Sequence, residues 1–141
     1  MESPLKVVLD SNILISALIS KGVAHDFIYK LINKDVQIVI SDYIVTEVNE
    51  VLTRKKFQDK QILYTLWNLI QKDVTIVKIK STITKVILRD PKDHPILQTA
   101  IKSKAEFIIT GDEDLLSLKS WGKIIITNMK DFEKLIQNER S

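Results

Sequence analysis

No cysteine occurs among the 141 residues, so the chain has no disulfide, no thiolate metal site and no cysteine nucleophile. Glycine and proline number three each, too few for a collagen-like or linker-like chain. Nine aromatics (four Phe, three Tyr, two Trp) leave little for stacking bases on aromatic rings. The apolar runs are too short to span a membrane. The opening segment MESPLKVVLD has no basic lead ahead of a long apolar stretch, so no secretory leader is predicted. What is present is ordinary globular material, 45% hydrophobic and 28% charged, with enough apolar content for a core. One domain spanning 1–141 is expected, with a radius of gyration of roughly 14 Å and about two-thirds of the unfolded surface buried. Lys plus Arg number 21 against 18 for Asp plus Glu, a balance of +3 that permits a nucleic-acid partner without requiring one. Composition therefore predicts a soluble, single-domain, cytoplasmic protein.

Two kinds of apolar segment alternate along the chain. Short β-branched runs stand at Leu5–Leu9, Val36–Ile40, Val74–Val77, Phe107–Ile109 and Ile124–Ile126. They read as strands buried on both faces of a parallel sheet. Helix-period stretches fall at about 12–33, broken near Gly22, and at 43–55, 59–72, 93–104 and 130–138. Strands alternating with helices predict an α/β domain with helices on both faces of the sheet. The stretch 78–90 mixes strand and loop signals.

Ligands in such folds collect beyond the carboxyl ends of the strands, at a topological switch point. Asp10 directly follows the first strand, and Thr110, Asp112 and Asp114 follow the fourth. In the helix after the second strand, Ile44, Val45, Val48, Val51 and Leu52 define the apolar face, Glu47 lies at its rim and Glu50 points away. Asp93 stacks inward at the start of the helix carrying Ile96, Leu97, Ala100 and Ile101. Each acid has a plainer role open to it: a salt bridge for Glu47, and a helix cap for Asp90, Asp93 or Asp112. Asp131, three residues after Asn128, fits a helix start with no chemistry attached.

The conjunction carries more than any one acid. If the first and fourth strands are neighbours, Asp10, Glu47, Asp93 and Asp112 reach one pocket. Clustered carboxylates repel and their pKa values rise unless a cation neutralises them. An all-oxygen donor set suits a hard cation, Mg²⁺ or Mn²⁺, and such an ion supports phosphodiester hydrolysis. Setting these four acids aside leaves 21 basic residues against 14 acidic ones, a distinctly basic exterior.

LDSN after the first strand, the helical Glu47, Asp93 ahead of ILQTA, and the run from Thr110 to Asp114 together resemble the PIN domain, and within it the VapC-like toxin components of prokaryotic toxin–antitoxin pairs. The resemblance covers nearly the whole chain. It implies a three-layer α/β/α fold with a five-stranded parallel sheet ordered 3-2-1-4-5, and a Mg²⁺- or Mn²⁺-dependent endoribonuclease activity. The family's Asp-Thr-Asn motif matches Asp10, Ser11 and Asn12, with serine keeping the hydroxyl. By the same resemblance Asp10, Asp93 and Asp112 hold the metal, and Glu47 positions or deprotonates the attacking water. Asn12 and Thr110 orient carboxylates or phosphate, while Asp114 and Asp90 are accessory acids. The implied partners are an RNA substrate, a cognate antitoxin and a second copy in a homodimer.

An RNA track is expected along Arg54, Lys55 and Lys56 and from Lys78, Lys80 and Lys85 to Arg89 and Lys92, although lysine runs are equally solvated faces. His94, beside Asp93, is in reach of a substrate but reads better as a surface histidine, and His25 has no assigned role. The apolar N-terminal half (Ile13, Leu14, Ile15, Leu18, Ile19, Phe27 and Ile28) together with Trp67 exceeds what one sheet face needs and suggests a partner surface. Two other readings stand beside the nuclease. One is a catalytically silent PIN-like module binding RNA or protein, for which keeping four acids has no chemical reason. The other is a Toprim-like phosphotransfer domain, which wants a glutamate where this chain has Asp10.

Overall fold

A computed structural model describes residues 4–54, 60–79 and 94–138. Lys55, Lys56, Lys80, Lys85, Arg89, Asp90, Lys92 and Asp93 lie outside the described residues.

The branched runs form the expected strands: β1 (Lys6–Leu9), β2 (Gln37–Ser41), β3 (Val74–Val77), β4 (Phe107–Ile109) and β6 (Ile124–Thr127). A further two-residue strand, β5 (Ser120–Trp121), precedes β6. The sheet order is β3-β2-β1-β4-β6-β5. The five longer strands are all parallel, in the order that the resemblance implies. The sixth is an antiparallel addition, with Trp121 opposite Ile124. It is too short to leave a periodic signal, and Gly122 takes the positive φ of 60° that its tight turn requires.

Register places the functional edge. Leu9 pairs with Ile109, so β1 and β4 end side by side. Because β2 and β4 flank β1 on opposite sides, the chain order reverses at this point, which makes it the switch point of the sheet. The central strands are buried on both faces, as Val7, Val8 and Leu9 illustrate. Toward the edges cover is lost, and Ile76 and Ile125 are exposed.

Among the described residues seven helices flank the sheet: α1 (Ser11–Ile19), α2 (Val23–Asn33), α3 (Asp42–Arg54), α4 (Lys60–Lys72), α5 (Pro95–Ser103), α6 (Glu113–Leu116) and α7 (Met129–Asn138). α5 lies against β1, β2, β3 and β4, whereas α1 packs among α2, α3 and α4. Phe132 of α7 meets Phe107 of β4 edge-on at 5.0 Å and Phe27 of α2 at 6.3 Å, joining two helices to the sheet. The helix starts follow local chemistry, since Asn128 accepts from the Asp131 amide at 2.8 Å.

The apolar surplus of the N-terminal half has a different destination from the one suggested by its quantity. Ile13, Leu14, Leu18, Phe27 and Ile28 are buried, and so is Trp67, whose indole N–H donates to Asn49 Oδ1 at 2.9 Å. α1 is enclosed by three other helices and needs apolar residues on more than one side. Of that group Ile19 is exposed, and Ile15 is partly buried against the core.

Candidate active site at the carboxyl edge of β1 and β4

The main chain of Asp10 finishes one element and begins the next. Its N–H donates to the Ile109 carbonyl at 3.1 Å, extending the β1–β4 ladder by one bond. Its carbonyl accepts from the Ile13 and Leu14 amides as α1 starts. The side chain makes no cap bond to α1, so the buried carboxylate is left to the site.

Thr110 holds the two strand ends together. It is 1% exposed, and its hydroxyl donates to Asp10 Oδ2 at 2.7 Å while accepting from the Asp112 amide at 3.0 Å. A single hydroxyl thus orients the Asp10 carboxylate and pins the backbone that carries Asp112. Asp112 does cap a helix: its Oδ1 accepts from the Asp114 amide at 2.8 Å and from the Leu115 amide at 3.4 Å. Among the described residues its other oxygen has no hydrogen-bond partner. The capping and functional roles are therefore compatible, one for each carboxylate oxygen.

Glu47 enters from α3, half-buried at the rim of the apolar face formed by Ile44, Val48 and Leu52. Burial pushes its pKa above the usual carboxylate range, a hydrogen bond from Ser11 opposes that rise, and the charges of Asp10 and Glu50 add to it. One turn earlier, burial raises Tyr43 as well, with Glu47 and Glu50 adding to the effect. The Ser11 hydroxyl also lies 3.4 Å from Asp10 Oδ1, so one O–H proton stands between two acids.

His94 is the N-cap of α5, its Nδ1 accepting from the Ile96 amide at 3.2 Å. Burial lowers its pKa, while the nearby charges of Asp10 and Asp112 work in the opposite direction. It faces the carboxylates and is not a free surface histidine. With Nδ1 accepting, the neutral ring carries its proton on Nε2. Ser11 and His94 are the two site residues that sequence reasoning undervalued. Ser11 was readable from the LDSN motif, but His94 becomes legible only when α5 is laid against β1 and β4.

Asp10, Glu47, Thr110 and Asp112 are thus brought to one edge. Asp114 is exposed in the first turn of α6, and Asn12 is exposed with no hydrogen bond to a carboxylate among the described residues. Arg54 is exposed at the end of α3. Asp90 and Asp93 lie outside the described residues, and among those described no three His, Asp or Glu side chains are grouped closely enough to hold a metal ion. The donor chemistry nevertheless fits a hard cation, because every side-chain donor from Asp10, Glu47 and Asp112 is a carboxylate oxygen.

This is the carboxylate edge of a PIN fold, and the chain belongs to that family: residues 6–114 match the PIN domain model. It is similar to the uncharacterized protein MJ1680 of Methanocaldococcus jannaschii, 29% identical over 150 aligned positions that cover 94% of each chain. In fold it resembles VapBC2 of Rickettsia felis, whose crystal structure is bound to a DNA fragment from its promoter. That match has a TM-score of 0.63 and 16% identity, over 88% of this chain and 98% of that one. It also resembles the PIN domain endonuclease Utp24, with a TM-score of 0.52 and 20% identity, over 89% of this chain and 85% of that one. None of the described helices is long and apolar enough to cross a membrane.

Proposed function

We propose that the protein is a divalent-metal-dependent endoribonuclease, working as the toxin of a toxin–antitoxin pair in the cytoplasm. The observation that carries the chemistry is the Thr110 bridge, which turns two separate strand ends into one carboxylate edge facing Glu47. PIN domains are generally nucleases and typically use divalent metals, and a VapBC complex is among the similar folds.

Asp10 and Asp112, joined by Asp93 from the segment ahead of α5, would hold Mg²⁺ or Mn²⁺. Such an ion supplies a Lewis acid for the phosphate and lowers the pKa of a bound water. The remaining work falls to the chain. Glu47 is placed to take a proton from the attacking water, and its raised pKa makes the carboxylate a stronger base than a free one. The Ser11 hydroxyl lies beside both acids and favours the ionised form of Glu47. Thr110 fixes the Asp10 carboxylate so that it need not reorganise as charge develops. His94 is held by its cap bond and offers Nε2–H to a phosphate oxygen. A cognate antitoxin and a second copy of the chain are the partners this reading implies.

Cleavage of single-stranded RNA with Mg²⁺ or Mn²⁺, with and without EDTA, tests the reading. Wild type is expected to cut only with free metal, and Asp10→Asn and Asp112→Asn to lose activity. Activity that survives EDTA, or that survives both substitutions, refutes it.

A further inference from the structure

Beside the carboxylate edge lies a depression of about 460 Å³, within the size range of ligand sites. Its walls come from α1, the start of α2, the loop between β4 and α6, and the first residue of α7. Two of its lining residues belong to the site by sequence: Asn12 stands two residues after Asp10, and Gly111 sits between Thr110 and Asp112. Consecutive Cα atoms are about 3.8 Å apart, so the depression begins one residue from the carboxylates.

Its chemistry differs sharply from that of the edge it adjoins. Among the described residues no charged side chain lines it; Ile19, Val23 and Met129 supply apolar surface, and Asn12, Ser16 and Ser20 supply neutral hydrogen-bonding groups. Val23 is 73% exposed and Ile19 45%, large aliphatic groups held at the surface for which the fold gives no packing reason. The site therefore offers acids for a metal-bridged phosphate and, immediately next to them, an uncharged apolar slot with a polar rim. An unstacked nucleobase needs this combination, since its faces are apolar and its edge carries neutral donors and acceptors. A phosphate would find no cation among the described residues that line it.

Resting on the nuclease reading above, we infer that this depression receives the nucleobase next to the scissile phosphate, with Ile19, Val23 and Met129 against its faces and Asn12, Ser16 and Ser20 at its edge. Asn12 then acts on the substrate base and not on the carboxylates. Burying about 40–80 Å² of base at the usual transfer coefficient corresponds to roughly 5- to 30-fold in affinity.

The test separates binding from cleavage. The full chain carrying Glu47→Gln, which prevents cleavage and keeps the metal-holding acids, is titrated in Mg²⁺ with fluorescent five-nucleotide single-stranded RNAs, one intact and five each bearing a single abasic ribose. One abasic position is expected to weaken binding by about 5- to 30-fold. Adding Ser16→Phe, at an exposed α1 position on the wall of the depression, is expected to weaken the intact RNA by the same factor and to erase the abasic effect. Val23→Trp should act alike from the other wall. A flat abasic series, unchanged binding by both variants, or no RNA binding at all overturns the inference. Wild-type cleavage of the same RNAs is read separately: base-dependent binding without metal-dependent cleavage supports the pocket and refutes the nuclease.

Discussion

Replacing Thr110 with valine isolates what joins the two strand ends. Valine matches threonine in shape, so the buried volume is kept and the hydroxyl alone is lost. Two interactions go with it: a bond of 2.7 Å to a buried carboxylate and one of 3.0 Å from the Asp112 amide. A hydrogen bond to a charged group contributes about 1.5–3 kcal/mol, and leaving the part-buried amide without its acceptor costs about 1 kcal/mol more. The expected loss is therefore about 2.5–4 kcal/mol. That is a large part of a stability of about 5–15 kcal/mol. At about 2.1 cal/mol/K per residue, the unfolding entropy of a chain this size is about 0.3 kcal/mol/K, so the melting temperature should fall by roughly 8–13 °C. The assay is thermal unfolding followed by circular dichroism at pH 7 in EDTA, so that metal binding does not enter. Thr110→Ser keeps the hydroxyl and loses one methyl group, which costs about 1 kcal/mol, or roughly 3 °C. If valine melts within about 2 °C of wild type, or serine melts as low as valine, the hydroxyl is not what holds the edge together.

Glu47→Gln should abolish nuclease activity and stabilise the metal-free protein in a pH-dependent way. A carboxyl whose folded pKa is raised binds more protons in the folded state than in the unfolded state, so its contribution to stability is lost as pH rises through that pKa. The melting temperature of the glutamine variant minus that of wild type should therefore be larger at pH 8 than at pH 5; a difference independent of pH contradicts the assigned cause. Millimolar Mn²⁺ should raise the melting temperature of wild type by ligand linkage and raise it less in Asp10→Asn and Asp112→Asn. Equal shifts in all three place the cation elsewhere. Trp67→Phe removes the bond to Asn49 and part of a buried ring, and should cost about 1–3 kcal/mol in urea unfolding. A neutral result means that α3 and α4 are not joined through this pair.

The strands and most helix bounds were readable from local pattern alone. A run such as Val7 to Leu9 has no polar residue to expose and must be covered on both faces, which selects a parallel sheet between helix layers. Glu47 at the rim of the Ile44–Val48–Leu52 face was equally local, because helical spacing dictates it. The short strand β5 was not readable, since two residues carry no period and its pairing depends on β6 already being in place. The partner-surface reading of the N-terminal apolar residues was too broad for a related reason: a residue count does not reveal that α1 would be enclosed by three helices, which leaves Ile19 exposed and most of the others buried.

The sequence by itself thus determined which acids stand at strand and helix ends and that they are oxygen donors without cysteine. Only the tertiary structure decided that the Leu9–Ile109 register brings Asp10 and Thr110 within hydrogen-bond reach, that Ser11 lies between Asp10 and Glu47, and that His94 turns toward the same edge. Those relations join residues up to 100 positions apart. They depend on strand order and on the burial that strand order creates, and neither is contained in any local stretch of chain.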